Sequence, residues 1–224
     1  MEKVVRFHRL DAAAYAELTM ASRVIEADSH GAKLIALDDS RYLKLFRRKR
    51  LLSSALMRPY AWRFYHNARR LAALGIPTVA PESLLRIPHL HSTAVLYRPL
   101  PGRTLRELLD AEAAPELLIG RLGSFLGTLH RQGVYFRSLH FGNLVVTEAG
   151  ALGLIDVADL DFRSAPLREA LVLRNLHHLL RYPTDWSHVR SAATAFRHGY
   201  AAAGRPLPES AATLLAGCAR QQGC

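Results

Sequence analysis

Side chains able to do polar chemistry cluster within residues 135–162, YFRSLHFGNLVVTEAGALGLIDVADLDF. Ser138, His140 and Asn143 come just before one short apolar run, residues 144–147, and Asp156 comes just after a second, residues 151–155. Glu148-Ala149-Gly150 separates the runs, and that spacing predicts a tight hairpin. A hairpin brings Asn143 and Asp156 side by side. An amide oxygen beside a carboxylate is a pair of hard oxygen ligands suited to Mg²⁺, whose remaining positions nucleotide phosphates and water would fill. The same residues also read as a turn asparagine and a capping aspartate, and spacing alone leaves both readings open.

The elements that must position this stretch can be read from the sequence on either side. Behind it, residues 115–131 carry apolar residues at helical spacing, with Leu117, Leu118, Leu122, Phe125, Leu126 and Leu129 in the stripe and Gly133 as the stop. Thr104 followed by Glu107 is a capping-box pattern that opens a short helix over 104–109. Earlier, alternation predicts a strand within 3–8, hairpin strands at 24–27 and 33–37 around Asp28-Ser29-His30-Gly31, and a strand at 41–46. Asp11 caps a predicted helix over 12–20, and a longer helix is expected over 57–74, with apolar positions at Trp62, Tyr65, Ala68, Leu71, Ala72 and Leu74. Strands at 83–87 and 94–97 follow, and helices are expected at 167–181, 186–200 and 209–219.

Leu139-His140-Phe141-Gly142-Asn143, then a hairpin, then Leu154-Ile155-Asp156, resembles the catalytic and metal-binding segments of protein-kinase-like phosphotransferases. The resemblance is strongest to the small bacterial lipopolysaccharide core kinases and the "toluene tolerance" proteins grouped with them. It covers roughly residues 22–183, and implies a compact α+β, two-lobed, kinase-like fold. In that plan residues 1–97 form a β-rich N-lobe, 98–102 a hinge and 103–224 a reduced helical C-lobe. In the family a catalytic Asp precedes the Leu-His pair, whereas this chain has Ser138 there. A kinase catalytic-loop Asp orients the attacking hydroxyl and accepts its proton, which serine cannot do as an ordinary base. His140 as a neutral imidazole, Asp159 and Asp161 are the local groups that could.

The resemblance also implies that Lys44 pairs with nucleotide phosphates and that the turn at Gly31 stands where a phosphate-covering loop belongs. The G-x-G-x-x-G pattern itself is absent. Arg98-Pro99-Leu100-Pro101-Gly102 resembles the hinge, whose backbone at Arg98 and Leu100 could meet an adenine ring. ATP and Mg²⁺ are the implied cofactors, with Asn143 and Asp156 as metal ligands. The Glu that a kinase helix offers to its lysine has no counterpart, since no acid occurs between Asp39 and Glu82, and the aligned position falls near Phe64.

Composition narrows the partners. The 224 residues are 50% hydrophobic and 22% charged, as in a folded domain, and 30 Lys and Arg against 19 Asp and Glu give a net charge of +11. Residues 41–70 hold ten Lys or Arg and no acid, with Arg47-Arg48-Lys49-Arg50 at the centre. Such a run is expected to attract an anionic membrane surface or a phosphorylated glycolipid, and the resemblance implies lipopolysaccharide core or another anionic glycolipid at the inner membrane. Nucleic acid is set aside because no recognition module accompanies the charge. No apolar run is long enough to span a bilayer, and Cys218 and Cys224 are too few for a disulfide framework. A cytoplasmic chain, peripheral to the inner membrane, is expected. Two functions follow from the resemblance: phosphorylation of a sugar hydroxyl in the core glycolipid, or a pseudokinase or assembly role in envelope biogenesis favoured by Ser138 and by the missing helix Glu.

Overall fold

The computed structural model describes residues 6–37, 40–47, 59–111 and 114–217. The chain divides into two units, Met1–Leu100 and Pro101–Cys224. The first is β-rich and the second largely helical, the α+β class expected from the sequence and consistent with a kinase-like two-lobed plan.

The first unit contains β1 (His8–Arg9), α1 (Ala12–Thr19), β2 (Arg23–Asp28), β3 (Gly31–Ala36), β4 (Tyr42–Arg47), α2 (Tyr60–Ala73), β5 (Ala80–Ile87) and β6 (Ser92–Arg98). Among the described residues the strands form one sheet in the order β1-β5-β6-β4-β3-β2. All its pairings are antiparallel except β1 with β5. Alternation along β4 sends its side chains to two faces. Leu43 and Leu45 join Ile35, Ile87 and Leu96 in a core covered by Tyr15 and Leu18 of α1, whose first turn is capped by the Asp11 carboxylate. On the other face Phe46 and Tyr97 meet the buried Phe64 ring of α2 at 5.9 and 5.3 Å.

The buried stripe of α2 is Ala61, Phe64, Tyr65, Ala68 and Leu71. This is turned from the expected face: Trp62 is only partly buried and Ala72 is exposed. The reason is that Phe64 fills the space between α2 and the paired strands β4 and β6, and alanines at 61 and 68 let the helix lie close to the sheet. Among the described residues the first strand is His8–Arg9, and residues 3–5, 57–58 and 218–219 of the predicted elements lie outside them.

The second unit contains β7 (Arg103–Thr104), α3 (Leu105–Asp110), α4 (Pro115–Arg131), β8 (Val134–Phe136), β9 (Leu144–Val146), β10 (Leu152–Leu154), β11 (Leu160–Phe162), α5 (Glu169–Leu179), α6 (Pro183–Ser191), α7 (Ala193–Ala202) and α8 (Glu209–Leu215). Helix α4 has the predicted bounds, but Leu117 is 56% exposed, so the stripe starts at Leu118. Helix α7 lies against α4 backbone to backbone. A Cβ on Gly123 would strike the Phe196 carbonyl oxygen, and one on Gly199 would strike that of Gly120. The expected single helix over 186–200 is two, because the chain leaves helical geometry at Ala192 (φ −120°, ψ 30°). Helix α6 starts earlier than expected, with Pro183 at its first position, where a missing N–H costs nothing. Among the described residues no helix is long and apolar enough to cross a membrane.

Candidate active site

Strands β9 and β10 form the predicted hairpin, with Leu144 opposite Leu154 and Val146 opposite Leu152. Gly150 takes φ +77° at the turn and donates its N–H to the Thr147 carbonyl at 2.8 Å. The ladder continues past the strands, where Ile155 N–H donates to the Asn143 carbonyl at 3.0 Å. Asp156 is therefore the next residue after the one paired with Asn143. It adopts a left-handed backbone (φ 53°, ψ 47°), uncommon for a residue with a Cβ, which turns the chain out of the hairpin into a 3-10 turn, Val157–Asp159. Strand β7 pairs with the other edge of β9, and Gly102, at φ +140°, stands where a Cβ would overlap the Val146 carbonyl.

Asn143 is buried, and its amide N–H donates to the Ser138 carbonyl at 2.8 Å. That bond fixes which end of the amide is which. The oxygen Oδ1 has no hydrogen-bond partner among the described residues. An amide oxygen and a carboxylate are hard donors, so Asn143 and Asp156 fit a magnesium ion in kind.

A second, small sheet brings in a residue that local spacing does not place. Strand β8 pairs antiparallel with β11, Phe136 opposite Leu160 and Val134 opposite Phe162. One step beyond, Arg137 N–H donates to the Asp159 carbonyl at 3.1 Å. The next residue of the loop, Ser138, then donates its hydroxyl proton to Asp159 Oδ2 at 3.2 Å, and the Arg137 guanidinium lies 3.6 Å from Oδ1. Asn143, Ser138 and Asp159 thus form a connected chain of hydrogen bonds. Asp161 lies farther along β11, opposite Tyr135, with Arg163 at 3.7 Å.

His140 supports the loop. Its Nδ1 accepts the Gly142 N–H at 3.1 Å, and its ring stands edge-on to Tyr182, with centroids 5.4 Å apart. Burial first, and then the nearby Arg106 charge, hold its pKa below the ordinary value of 6.5. Arg106 also lies over the Tyr182 ring, 4.7 Å from its centroid.

Two further supports escaped the sequence reading. Asp185, 1% exposed in the first turn of α6, accepts two hydrogen bonds from Arg106 of α3, at 3.0 and 2.7 Å, and the Phe141 N–H at 3.1 Å. Its only sequence signal was an acid in a helix's first turn. Below the loop, Asn175 of α5 donates to the Phe136 carbonyl at 2.6 Å. Its Oδ1, 3.0 Å from His130 Nε2, must therefore accept, which leaves His130 Nδ1 to accept from the Tyr200 hydroxyl at 2.9 Å. Burial pushes the His130 pKa down to about 4, in keeping with a neutral structural histidine.

In the first unit, Lys44 lies on β4 with its ammonium 5.9 Å from the Phe64 ring centroid. Gly31 has φ +109° at the start of β3, beside the turn after β2. Arg47 is bound to that hairpin: it donates to Asp28 Oδ1 at 2.7 Å and to the Ala32 carbonyl at 3.3 Å. Arg48, Lys49 and Arg50, grouped with it in the sequence, lie outside the described residues. Arg98 ends β6 and pairs with Glu82 at 2.9 Å, and partly buried Leu100 follows it at the end of the unit.

No family model and no curated protein matches the sequence. Among solved structures, the medium resolution structure of the bifunctional kinase-methyltransferase WbdD is similar over 81% of this chain and 44% of that chain, at 17% identity and a TM-score of 0.49. The co-crystal structure of WbdD and the kinase inhibitor LY294002 is similar over 80% of this chain and 43% of that one, at 18% identity and a TM-score of 0.43. This chain spans less than half the length of either.

Proposed function

We propose that the chain is an ATP-dependent phosphotransferase acting on a sugar hydroxyl of lipopolysaccharide core or a related envelope glycolipid. The observation that carries this reading is the far end of the β9-β10 hairpin. There Ile155 is bonded to Asn143, Asp156 turns out in a left-handed conformation, and the Asn143 amide is tied to the Ser138 carbonyl with its oxygen left over for a ligand. Asn143 and Asp156 would hold Mg²⁺, Lys44 would pair with nucleotide phosphates, and the connector at 98–102, through Arg98 and Leu100, would meet the adenine. Bound Mg·ATP supplies the transferable phosphoryl group and the neutralising charge. The chain's own contribution is positioning and electrostatics, which dominate phosphoryl transfer.

The acceptor class rests on the net charge of +11 and the acid-free 41–70 segment, which suit an anionic glycolipid at the inner-membrane surface. Within that segment Arg47 is engaged by Asp28, and Arg48, Lys49 and Arg50 lie outside the described residues. A second reading, an inactive relative serving in envelope assembly, is favoured by Ser138 at the position of the catalytic Asp and by the lack of any acid between Asp39 and Glu82.

Calorimetry with Mg·ATP, followed by phosphate transfer to purified core glycolipid, separates the two. We expect binding and transfer in the wild type, and loss of Mg²⁺-dependent binding in Asp156→Asn and Lys44→Met. Nucleotide binding without transfer to any core glycolipid supports the assembly reading. Identical Mg·ATP affinities in wild type and Asp156→Asn refute the metal site.

A further inference from the structure

We propose that Asp159 takes the proton of the attacking hydroxyl, replacing the aspartate that the loop lacks at position 138. The inference rests on the phosphotransferase reading and names the group that would complete its site. The loop residue is serine, but its hydroxyl is bonded to a carboxylate, Ser138 Oγ to Asp159 Oδ2 at 3.2 Å. A carboxylate only accepts, so the serine proton is committed to Asp159 and the serine acts as a holder. The negative charge therefore stands one hydrogen bond from where the family's own would be.

Register accounts for the placement. β8 runs into the loop, β11 runs back alongside it, and the Arg137–Asp159 backbone bond sets residue 159 beside residue 138. An offset of one residue in that pairing would send the carboxylate to the other face. The 3-10 turn that delivers Asp159 begins directly after Asp156. One short segment, residues 156–159, thus carries both the metal carboxylate and the proton acceptor.

Competing groups are less well placed. The single lone pair of neutral His140 is used on the Gly142 N–H, which puts the ring proton on Nε2 and leaves no nitrogen to accept from a substrate. Asp161 is opposite Tyr135, three positions before the serine, and faces Arg163. The Asp159 side chain is 33% exposed, so a substrate can reach it, and the Arg137 guanidinium lies 3.6 Å from its Oδ1. In the step, the acceptor oxygen bonds to the γ-phosphorus while the bond from phosphorus to the bridging oxygen breaks. That bond's electron pair leaves on ADP, and the hydroxyl proton passes to Asp159, which returns it to solvent.

The test uses the full chain, Mg·ATP, purified core glycolipid, and water as the acceptor in basal hydrolysis. Asp159→Asn keeps the size of the side chain and an oxygen for Ser138. It should bind Mg·ATP within about twofold of wild type yet transfer about 10²–10⁴-fold more slowly, the usual worth of a general base. Ser138→Asp/Asp159→Asn returns a carboxylate to the loop and should recover transfer to within about tenfold of wild type. Wild-type turnover in Asp159→Asn overturns the proposal, as does a loss matched by an equal fall in Mg·ATP affinity or in melting temperature. A wild type that binds Mg·ATP but neither hydrolyses it nor transfers phosphate also overturns it while leaving the nucleotide site standing. If the wild type binds no Mg·ATP, the phosphotransferase reading itself fails.

Discussion

Acidification should unfold this protein partly through a single side chain, His130. The imidazole is 3% exposed, and both ring nitrogens are committed, one accepting from Tyr200 and the other donating to Asn175. A second ring proton would face the hydroxyl oxygen of Tyr200, which would have to turn its own proton away inside the core. Burial accordingly lowers the pKa from 6.5 to about 4. The unfolded chain, with its ordinary histidine, binds the proton more readily, so stability is complete above pH 6.5 and is lost as pH falls towards 4. The gap between the two values, at about 1.4 kcal/mol for each tenfold difference in proton affinity, comes to about 3 kcal/mol in all, of which about 2 kcal/mol is gone by pH 5. Urea midpoints measured from pH 8 to pH 4 for wild type and His130→Gln would check this. Carboxylates contribute equally to both proteins, so the difference between the two curves isolates the histidine. Parallel curves, or a His130 imidazole resonance titrating near pH 6.5 in the folded protein, would refute the reasoning.

Other perturbations have equally direct readouts. Asp185→Asn leaves the Arg106 guanidinium without its buried partner, and should cost about 3–5 kcal/mol in chemical denaturation and lower phosphate transfer by loosening the Phe141 amide. Unchanged stability would show that the pair is not needed. Gly123→Ala forces a methyl group against the Phe196 carbonyl and should destabilise by about 3 kcal/mol, read as a drop in thermal midpoint. Phe64→Ala empties the space between α2 and β4-β6 and should cost about 3–5 kcal/mol; a cost under 1 kcal/mol would mean that the helix collapses onto the sheet.

The parts of this fold that could be read in advance are those whose signals are local. The β9-β10 hairpin follows from two apolar runs around a glycine turn, and the α3 cap follows from Thr104 and Glu107, whose reciprocal bonds are formed. Helix α4 begins at Pro115 and ends before Gly133, both explicit punctuation. The pairing of β8 with β11 could not be read this way: each is three residues long, and the whole β9-β10 hairpin intervenes between them in the chain. The break at Ala192 has no glycine or proline to announce it. The face of α2 was set one position away because Trp62 outweighs Ala61 in any count of apolar residues, although the small residue is the one that touches the sheet. In the candidate site, Asn143 and Asp156 are near neighbours through a hairpin, whereas Asp185 supports the loop from a helix far along the chain. The approach of Asp159 to Ser138 depends on a tertiary register that residue types do not encode locally.

The glycine seam between α4 and α7 bears on how the chain is made. During synthesis α4 leaves the ribosome well before Phe196, Gly199 and Tyr200 exist, and its bare backbone face can be covered only when they emerge. Such a long-range contact forms late and makes the nascent intermediate sticky. Released chains truncated before residue 193 should therefore engage chaperones that the full chain does not.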